Sequence, residues 1–106
     1  MKPQAAEKLV IKPFDAADYL QSDEDCAMYL QACIDEAPDD AALFFKALGD
    51  IARSRGMMQL ARDAGISREG LYKALAEQGN PSLSTVFKVL HALGLRFNIG
   101  PQAKHA

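Results

Sequence analysis

The sequence predicts an all-α fold built from short helices, and three observations support this prediction. Apolar residues recur at three- and four-residue spacing through most of the chain. Serine or aspartate precedes most of these stretches, and glycine or proline follows most of them. Hydrophobic residues make up 49% of the 106 residues, which is enough for the core of one compact domain. We divide the chain into an N-terminal segment (1–38), a main domain (39–99) and a flexible tail (100–106).

The N-terminal segment is expected to contain two short helices that pack on the main domain. Pro13 restricts the residue before it to extended geometry, so the first helix begins after it, capped by Asp15, and runs to Leu20. Ser22 followed by Asp25 resembles a capping box and is expected to begin a second helix that runs to about Glu36.

The main domain is expected to continue with further helices separated by tight turns. The predicted helices run from Asp39 or Asp40 to Arg55, from Met57 to Ala64, from Ser67 to about Glu77, and from Ser82 to the stop at Gly94. In the last of these, the apolar periodicity predicts an unbroken core stripe of Leu83, Val86, Phe87, Leu90 and Leu93.

The residues after this helix alternate between apolar and polar. Leu95-Arg-Phe-Asn-Ile99 therefore predicts a short C-terminal strand. A single strand needs a partner, and two remain open: its own copy in a second subunit, or the segment Leu9–Ile11.

The segment from Met57 to Leu75 has the spacing of a helix-turn-helix. Ala61 is small enough for two helices to cross closely, and Gly65 supplies a left-handed turn residue. Ser67 is placed to cap the second helix, whose N-terminal end enters the major groove of DNA in proteins of this kind. The pattern therefore predicts a DNA-binding protein that reads bases with the helix beginning at Ser67.

Candidate base-reading residues follow Ser67 on the outward side of that helix. Arg68 can donate two hydrogen bonds to guanine O6 and N7, although an ion pair with Glu69 or Asp63 remains an alternative. Glu69 either accepts from cytosine N4 or orients Arg68 or Lys73, and Lys73 itself is expected to contact phosphate.

The remaining candidates have alternatives of their own. Tyr72 either contacts a sugar, a thymine methyl or a phosphate, or packs partly in the core. Gly70 weakens the helix by up to about 1 kcal/mol, which close approach to DNA would offset. Ser82 and Thr85, at the start of the last helix, are expected to contact phosphate, with a simple capping role as the alternative for Ser82.

Several strings in the chain resemble known families. Gly65-Ile66-Ser67, Asn80-Pro81-Ser82-Leu83 and Leu90-His-Ala-Leu-Gly94 resemble the phage-repressor (Xre/Cro) type of helix-turn-helix domain. Together with Phe14-Asp-Ala-Ala-Asp-Tyr-Leu20, Ala47-Leu-Gly-Asp-Ile-Ala-Arg53 and Ser67-Arg-Glu-Gly-Leu-Tyr-Lys-Ala-Leu75, they resemble the addiction-module antidote family over Phe14 to Ile99. Such proteins are antitoxins of type II toxin–antitoxin operons.

The resemblance implies a five-helix repressor-like domain acting as a homodimer on a palindromic operator. It also implies repression of the chain's own operon and neutralisation of a cognate toxin of the RelE/ParE type. In phage-type repressors the first motif helix often begins with a glutamine. This chain has Met57 and Met58 there, which leaves Gln59 as the candidate phosphate contact. A stand-alone prophage-type repressor and an interaction module that no longer binds DNA remain alternatives.

Charge is divided between the two halves of the chain. Residues 1–50 carry four lysines against eleven acidic residues, a net −7, whereas residues 51–106 carry eight basic against three acidic residues, a net +5. The basic half suits contact with phosphates, and the acidic half suits a basic protein partner.

Other function classes find no support in the sequence. No apolar run is long enough to cross a membrane and no signal peptide is visible, so we expect a cytoplasmic protein. Cys26 and Cys33 are expected to be reduced core residues, because seven residues of helix separate them by about 10.5 Å. We expect no catalytic residues, no metal site and no cofactor.

Overall fold

The computed structural model describes residues 22–102, and within this range all regular secondary structure is helical, with no strand. Its five helices are α1 (Asp23–Glu36), α2 (Ala41–Arg55), α3 (Met57–Ala64), α4 (Arg68–Ala74) and α5 (Leu83–Ala92). The all-α prediction is confirmed. Five helices were expected in the repressor-like domain alone, but one of the five, α1, precedes residue 39. The helix predicted for Asp15–Leu20 and the segment Leu9–Ile11 lie outside the described residues.

Four of the five helices begin at the polar residue that the sequence predicted as a cap. In each case a side-chain oxygen accepts a hydrogen bond from the backbone N–H three residues later, which satisfies one free amide of the first turn. The pairs are Ser22 with Asp25 (3.1 Å), Asp40 with Leu43 (3.0 Å), Ser67 with Gly70 (2.9 Å) and Ser82 with Thr85 (3.1 Å).

The core is built from one side of each helix. The helix α2 packs against α1 and α3, and α3 packs against both α4 and α5. The buried apolar side chains that form this single cluster are Cys26, Leu30, Ala47, Leu48, Ile51, Ala52, Met57, Leu60, Ala61, Leu71, Leu75, Val86, Val89, Leu90 and Leu93. Within residues 22–102, no helix is long and apolar enough to cross a bilayer.

A buried carboxylate joins α1 to α2. Asp50 is 8% exposed and accepts hydrogen bonds from the Tyr29 hydroxyl (3.1 Å) and the Arg53 guanidinium (3.0 Å). The Lys46 ammonium lies 3.7 Å from the same carboxylate. Asp50 is therefore both hydrogen-bonded and charge-compensated, as a buried carboxylate must be to be tolerated.

The predicted C-terminal strand is absent from the described residues. Residues 95–99 follow α5 without regular secondary structure. Among backbone hydrogen bonds within residues 22–102, only Leu95 takes part, donating to the Leu90 carbonyl at 2.8 Å. Leu95 and Phe97 pack against the core, whereas Ile99 is 95% exposed. The physical reason is that a strand needs a neighbour to hydrogen-bond, and none of residues 22–102 supplies one.

The structure also corrects two helix predictions. The stripe on α5 is not wholly buried, because Leu83 is 61% and Phe87 51% exposed while Val86, Leu90 and Leu93 are buried. The helix α4 ends at Ala74, three residues before the predicted end at Glu77. The chain turns back at that point and places Gly79 against the last carbonyls of α4.

Candidate nucleic-acid interface

The turn between α3 and α4 fixes where α4 begins. The N–H of Ile66 donates to the Ala61 carbonyl (3.0 Å) and the N–H of Gly65 to the Arg62 carbonyl (3.2 Å), which is the Schellman arrangement of a helix C-terminus. Gly65 has φ 71° and ψ 32°, the left-handed conformation that glycine adopts at low cost. Ile66 packs against the core, so the next residue, Ser67, starts α4 from a fixed point.

The helix α4 is anchored by one side and displays the other. Leu71 is fully buried, and Leu75, immediately after the helix, is 4% exposed. The outward side carries most of the predicted DNA-contacting residues, which are exposed in the structure: Ser67, Arg68, Glu69, Tyr72 and Lys73. Gly70 is half-buried between them.

Four of these residues line one shallow concavity at the start of α4. They are Ser67, Arg68, Glu69 and Tyr72. The Arg68 guanidinium carbon lies 5.7 Å from the centroid of the Tyr72 ring, within cation–π range. Tyr72 is 47% exposed, so its ring is available to a ligand rather than enclosed in the core. The concavity thus presents a cation, a carboxylate and an aromatic face side by side.

The ion pair considered for Arg68 is not formed among the described residues. Arg68 has no salt bridge to Glu69 or Asp63. Asp63 instead accepts a hydrogen bond from the Gln59 side-chain amide at 2.8 Å, one turn earlier on α3. The guanidinium of Arg68 is therefore unpaired by carboxylates, whereas the amide donor of Gln59 is already engaged.

Gly70 has a local structural role that the sequence did not indicate. A Cβ at this position would lie 2.9 Å from the Ser67 hydroxyl oxygen, the same oxygen that accepts from the Gly70 N–H. A side chain here would therefore crowd the cap of α4. Gly70 and Lys73 also line a second depression together with Gly79 and Pro81.

Gly79 is the positioning residue that sequence reasoning missed. A Cβ on Gly79 would overlap the Ala74 carbonyl oxygen and would lie 2.8 Å from the Lys73 carbonyl oxygen. Only glycine allows the α4–α5 loop to fold this closely over the end of α4. A Gly79-Asn80-Pro81 string is typical of a turn, but this pattern does not say which atoms the turn packs against.

Ser82 and Thr85 are hydrogen-bonded to each other at the start of α5. The Ser82 hydroxyl accepts from the Thr85 N–H and donates to the Thr85 hydroxyl oxygen, each at 3.1 Å. The capping alternative considered for Ser82 is thus seen in the structure. Neither residue lines the concavity of Ser67 and Arg68, nor does Gln59.

The charges of the described residues follow the division seen in the sequence. Residues 22–50 hold eight acidic residues and one basic residue, Lys46. In residues 51–102, Arg53 and Arg55 pair with Asp50 and Asp23. The basic side chains without an ion pair in the described chain are Arg62, Arg68, Lys73, Lys88 and Arg96.

The cysteines and acidic groups of residues 22–102 form neither a reactive-thiol site nor a metal site. Cys26 is buried, Cys33 is half-buried, and neither forms a disulfide. Burial raises the pKa of both thiols, which keeps them protonated and poorly nucleophilic. Over residues 22–102, no three histidine, cysteine or acidic side chains are grouped closely enough to hold a metal ion.

Comparison with known proteins identifies the family. The family described as "Probable addiction module antidote protein" matches residues 10–101. A Haemophilus influenzae protein described as "Uncharacterized protein" is 54% identical over 89 residues, which cover 84% of this chain and 90% of that protein. No solved structure matches the chain. Because the match extends over most of the sequence, the chain belongs to the family of probable addiction module antidote proteins.

Proposed function

We propose that the chain is a DNA-binding antitoxin of a type II toxin–antitoxin module that represses its own operon. In this proposal α3, the turn at residues 65–67 and α4 form a helix-turn-helix of the phage-repressor type, and α4 enters the major groove. The observation that carries the proposal is the outward side of α4. There Arg68, which forms no ion pair within residues 22–102, lies beside Tyr72 at a capped helix N-terminus.

The roles of the residues follow from their chemistry. Arg68 reads a guanine through its two parallel donors, and Tyr72 supports the guanidinium while contacting the sugar or a thymine methyl. Lys73 contacts phosphate, together with the unpaired basic residues Arg62 and Lys88. Gln59, Ser82 and Thr85 contribute less, since their side-chain groups are engaged within the chain.

The experiment is a binding titration of the purified protein against its own upstream DNA and a scrambled duplex at two salt concentrations. Arg68→Ala is expected to lose about 1–3 kcal/mol of operator preference, a factor of roughly 5 to 150. Arg62→Ala is the matched control: it removes the same charge from an exposed, unpaired site on α3. It should weaken binding to both duplexes alike. Equal operator preference in the two variants would remove Arg68 from base reading.

We further propose that the acidic part of the chain binds a basic toxin of the RelE/ParE type. This part comprises α1 and the loop to α2, and its exposed carboxylates include Asp35, Glu36 and Asp39. Membership of the antidote family supports the proposal. We expect a small basic reading frame upstream, and expression of its product alone should arrest growth. Co-expression of this chain should relieve the arrest, and the two proteins should co-purify. A harmless product would favour a stand-alone repressor.

A further inference from the structure

Glu69 lies in the concavity at the start of α4, among side chains that suit contact with DNA. It lines this concavity together with Ser67, Arg68 and Tyr72, and it is exposed. A carboxylate on a surface that approaches phosphates lowers the affinity for every duplex, because like charges repel. Its position therefore calls for a compensating contact, either within the chain or with the DNA.

We propose that Glu69 is a specificity-determining residue, whose carboxylate accepts a hydrogen bond from the N4 amino group of a cytosine next to the guanine bound by Arg68. This role rests on the proposed function, because Glu69 meets base edges only if α4 enters the major groove. It adds the chemical class of a second base in the operator, and it gives Glu69 the task of rejecting the other three bases at that position.

The contacts that Glu69 could make within the chain are not formed among the described residues. Lys73 follows four residues later, the spacing at which a glutamate before a lysine pairs best on a helix, yet no ion pair joins them. Arg68 and Arg62 form no ion pair with Glu69 either. Within residues 22–102, no side-chain hydrogen bond engages the Glu69 carboxylate, which leaves it free for a ligand.

The Arg68 guanidinium is held by an aromatic ring instead of by the carboxylate beside it. Its central carbon lies 5.7 Å from the centroid of the Tyr72 ring, one helical turn further along α4. A guanidinium and a carboxylate that do not neutralise each other can each contact a base. Because successive side chains of a helix point about 100° apart, Arg68 and Glu69 reach neighbouring base pairs rather than the same one.

The edges of the bases in the major groove determine which base a carboxylate accepts. Guanine presents the acceptors O6 and N7, and thymine presents the acceptor O4, so both repel a carboxylate. Adenine has an amino donor, but its N7 acceptor lies beside that donor. Cytosine presents its N4 amino donor without such an acceptor. Glu69 therefore favours cytosine by attraction and disfavours the other bases by repulsion, the two components from which specificity is built.

A purely structural role for Glu69 would give a different result. A carboxylate in the first turn of a helix stabilises it by interacting with the free amides of that turn. That effect does not depend on which bases the duplex contains. A structural glutamate would thus change the affinity for every duplex by the same factor when it is replaced. Base preference separates the two roles.

The first test is a competition titration of the purified protein against variants of its own upstream site. Each duplex carries one base-pair substitution, and the set covers the whole site. Arg68→Ala identifies the guanine that Arg68 reads. In the neighbouring base pair, the unmodified protein is expected to prefer cytosine over adenine by roughly 5- to 150-fold. The absence of a cytosine preference there overturns the inference.

Glu69→Gln keeps the size of the side chain and removes its charge. A carboxamide accepts from adenine N6 and donates to adenine N7, so this variant is expected to lose or reverse the preference for cytosine over adenine. The matched control is Glu77→Gln, an exposed glutamate beyond α4 and outside the concavity, without an ion pair in residues 22–102. It should keep the preference. A Glu69→Gln variant that also keeps the preference overturns the inference.

A modified base tests the hydrogen bond itself. N4-Methylcytosine pairs with guanine, but a methyl group replaces the amino hydrogen that faces the major groove. At the cytosine position it should weaken binding of the unmodified protein and leave the affinity of Glu69→Ala unchanged. Equal weakening of both proteins would mean that the methyl group acts by its bulk, and the hydrogen bond from cytosine N4 to Glu69 would then be wrong.

Failure of this role and failure of DNA reading are distinguishable. If Arg68→Ala loses its guanine preference while Glu69→Gln alters no base preference, the role of Glu69 is wrong and the proposed function stands. If the unmodified protein binds its upstream site no better than a scrambled duplex, α4 does not read bases. Both the proposed function and the role of Glu69 would then be wrong.

Discussion

Because Gly79 packs closely against the end of α4, Gly79→Ala is expected to lower the free energy of unfolding. The added methyl group would overlap the Ala74 carbonyl oxygen and approach the Lys73 carbonyl oxygen to 2.8 Å. Both obstacles are backbone atoms, which cannot move aside by changing rotamer. Relief requires the loop to shift away from α4, and the Gly79 N–H then loses its 2.8 Å hydrogen bond to the Ala76 carbonyl.

The magnitude follows from two contributions. Overpacking against a fixed neighbour costs about 1–3 kcal/mol, and a weakened backbone hydrogen bond adds about 1 kcal/mol. Part of this lost stability is offset, because alanine restricts the unfolded chain more than glycine does. This effect stabilises the folded protein by roughly 0.4–1 kcal/mol. We expect a net loss of about 2 kcal/mol, which lowers the melting temperature by roughly 8–16 °C in a domain of this size.

Urea unfolding followed by circular dichroism measures this loss directly. The control is Gln78→Ala, a change at the exposed neighbouring residue in the same loop, which should stay within about 0.5 kcal/mol of the unmodified protein. A Gly79→Ala variant as stable as the control would show that the loop can move away from α4 without loss of stability. The positioning role assigned to Gly79 would then be wrong.

Two further expectations concern the cap of α4 and the buried titratable groups. Ser67→Ala removes the acceptor of the Gly70 N–H and should lower the free energy of unfolding by about 1 kcal/mol; unchanged urea unfolding would contradict the cap. Burial raises the pKa of Cys26, Cys33 and Tyr29, and for Tyr29 the nearby Asp50 carboxylate raises it further. Their contribution to stability is complete below about pH 8 and is lost as the pH rises further, because the unfolded chain then releases these protons first. Tyr29→Phe should flatten the fall above about pH 10, and an unchanged slope would exclude Tyr29 as its source.

The starts of the helices were predictable because their causes are local. A capping side chain bonds to an amide three residues away, so Ser22, Ser67 and Ser82 could be assigned from the sequence without knowledge of the fold. Gly65 likewise marked its turn, since the left-handed conformation at a helix end favours glycine. The same local reasoning identified the exposed residues of α4.

Features that depend on distant or absent partners were not predictable. Helical periodicity places Leu83 and Phe87 on the apolar side of α5, but it cannot say whether the core extends far enough to cover them. The alternation of residues 95–99 predicts a strand only if another strand lies beside it. Buried Asp50 was missed as well. Its signal was a carboxylate on an apolar helix side with Lys46 and Arg53 one turn away on either side.

The conformation of α4 depends on the contacts at its two ends, because the helix is too short to be stable by itself. Isolated helices shorter than about 12–15 residues are marginal in water, and α4 has seven residues, including a glycine. Its conformation must therefore come from what holds it: the Ser67 cap at one end, the loop at Gly79 at the other, and buried Leu71 between them. If either end is no longer held, the core stays intact but α4 becomes more mobile, and the Arg68 side chain then samples many positions. Changes at Ser67 or Gly79 should thus lower operator preference beyond what their effect on global stability accounts for.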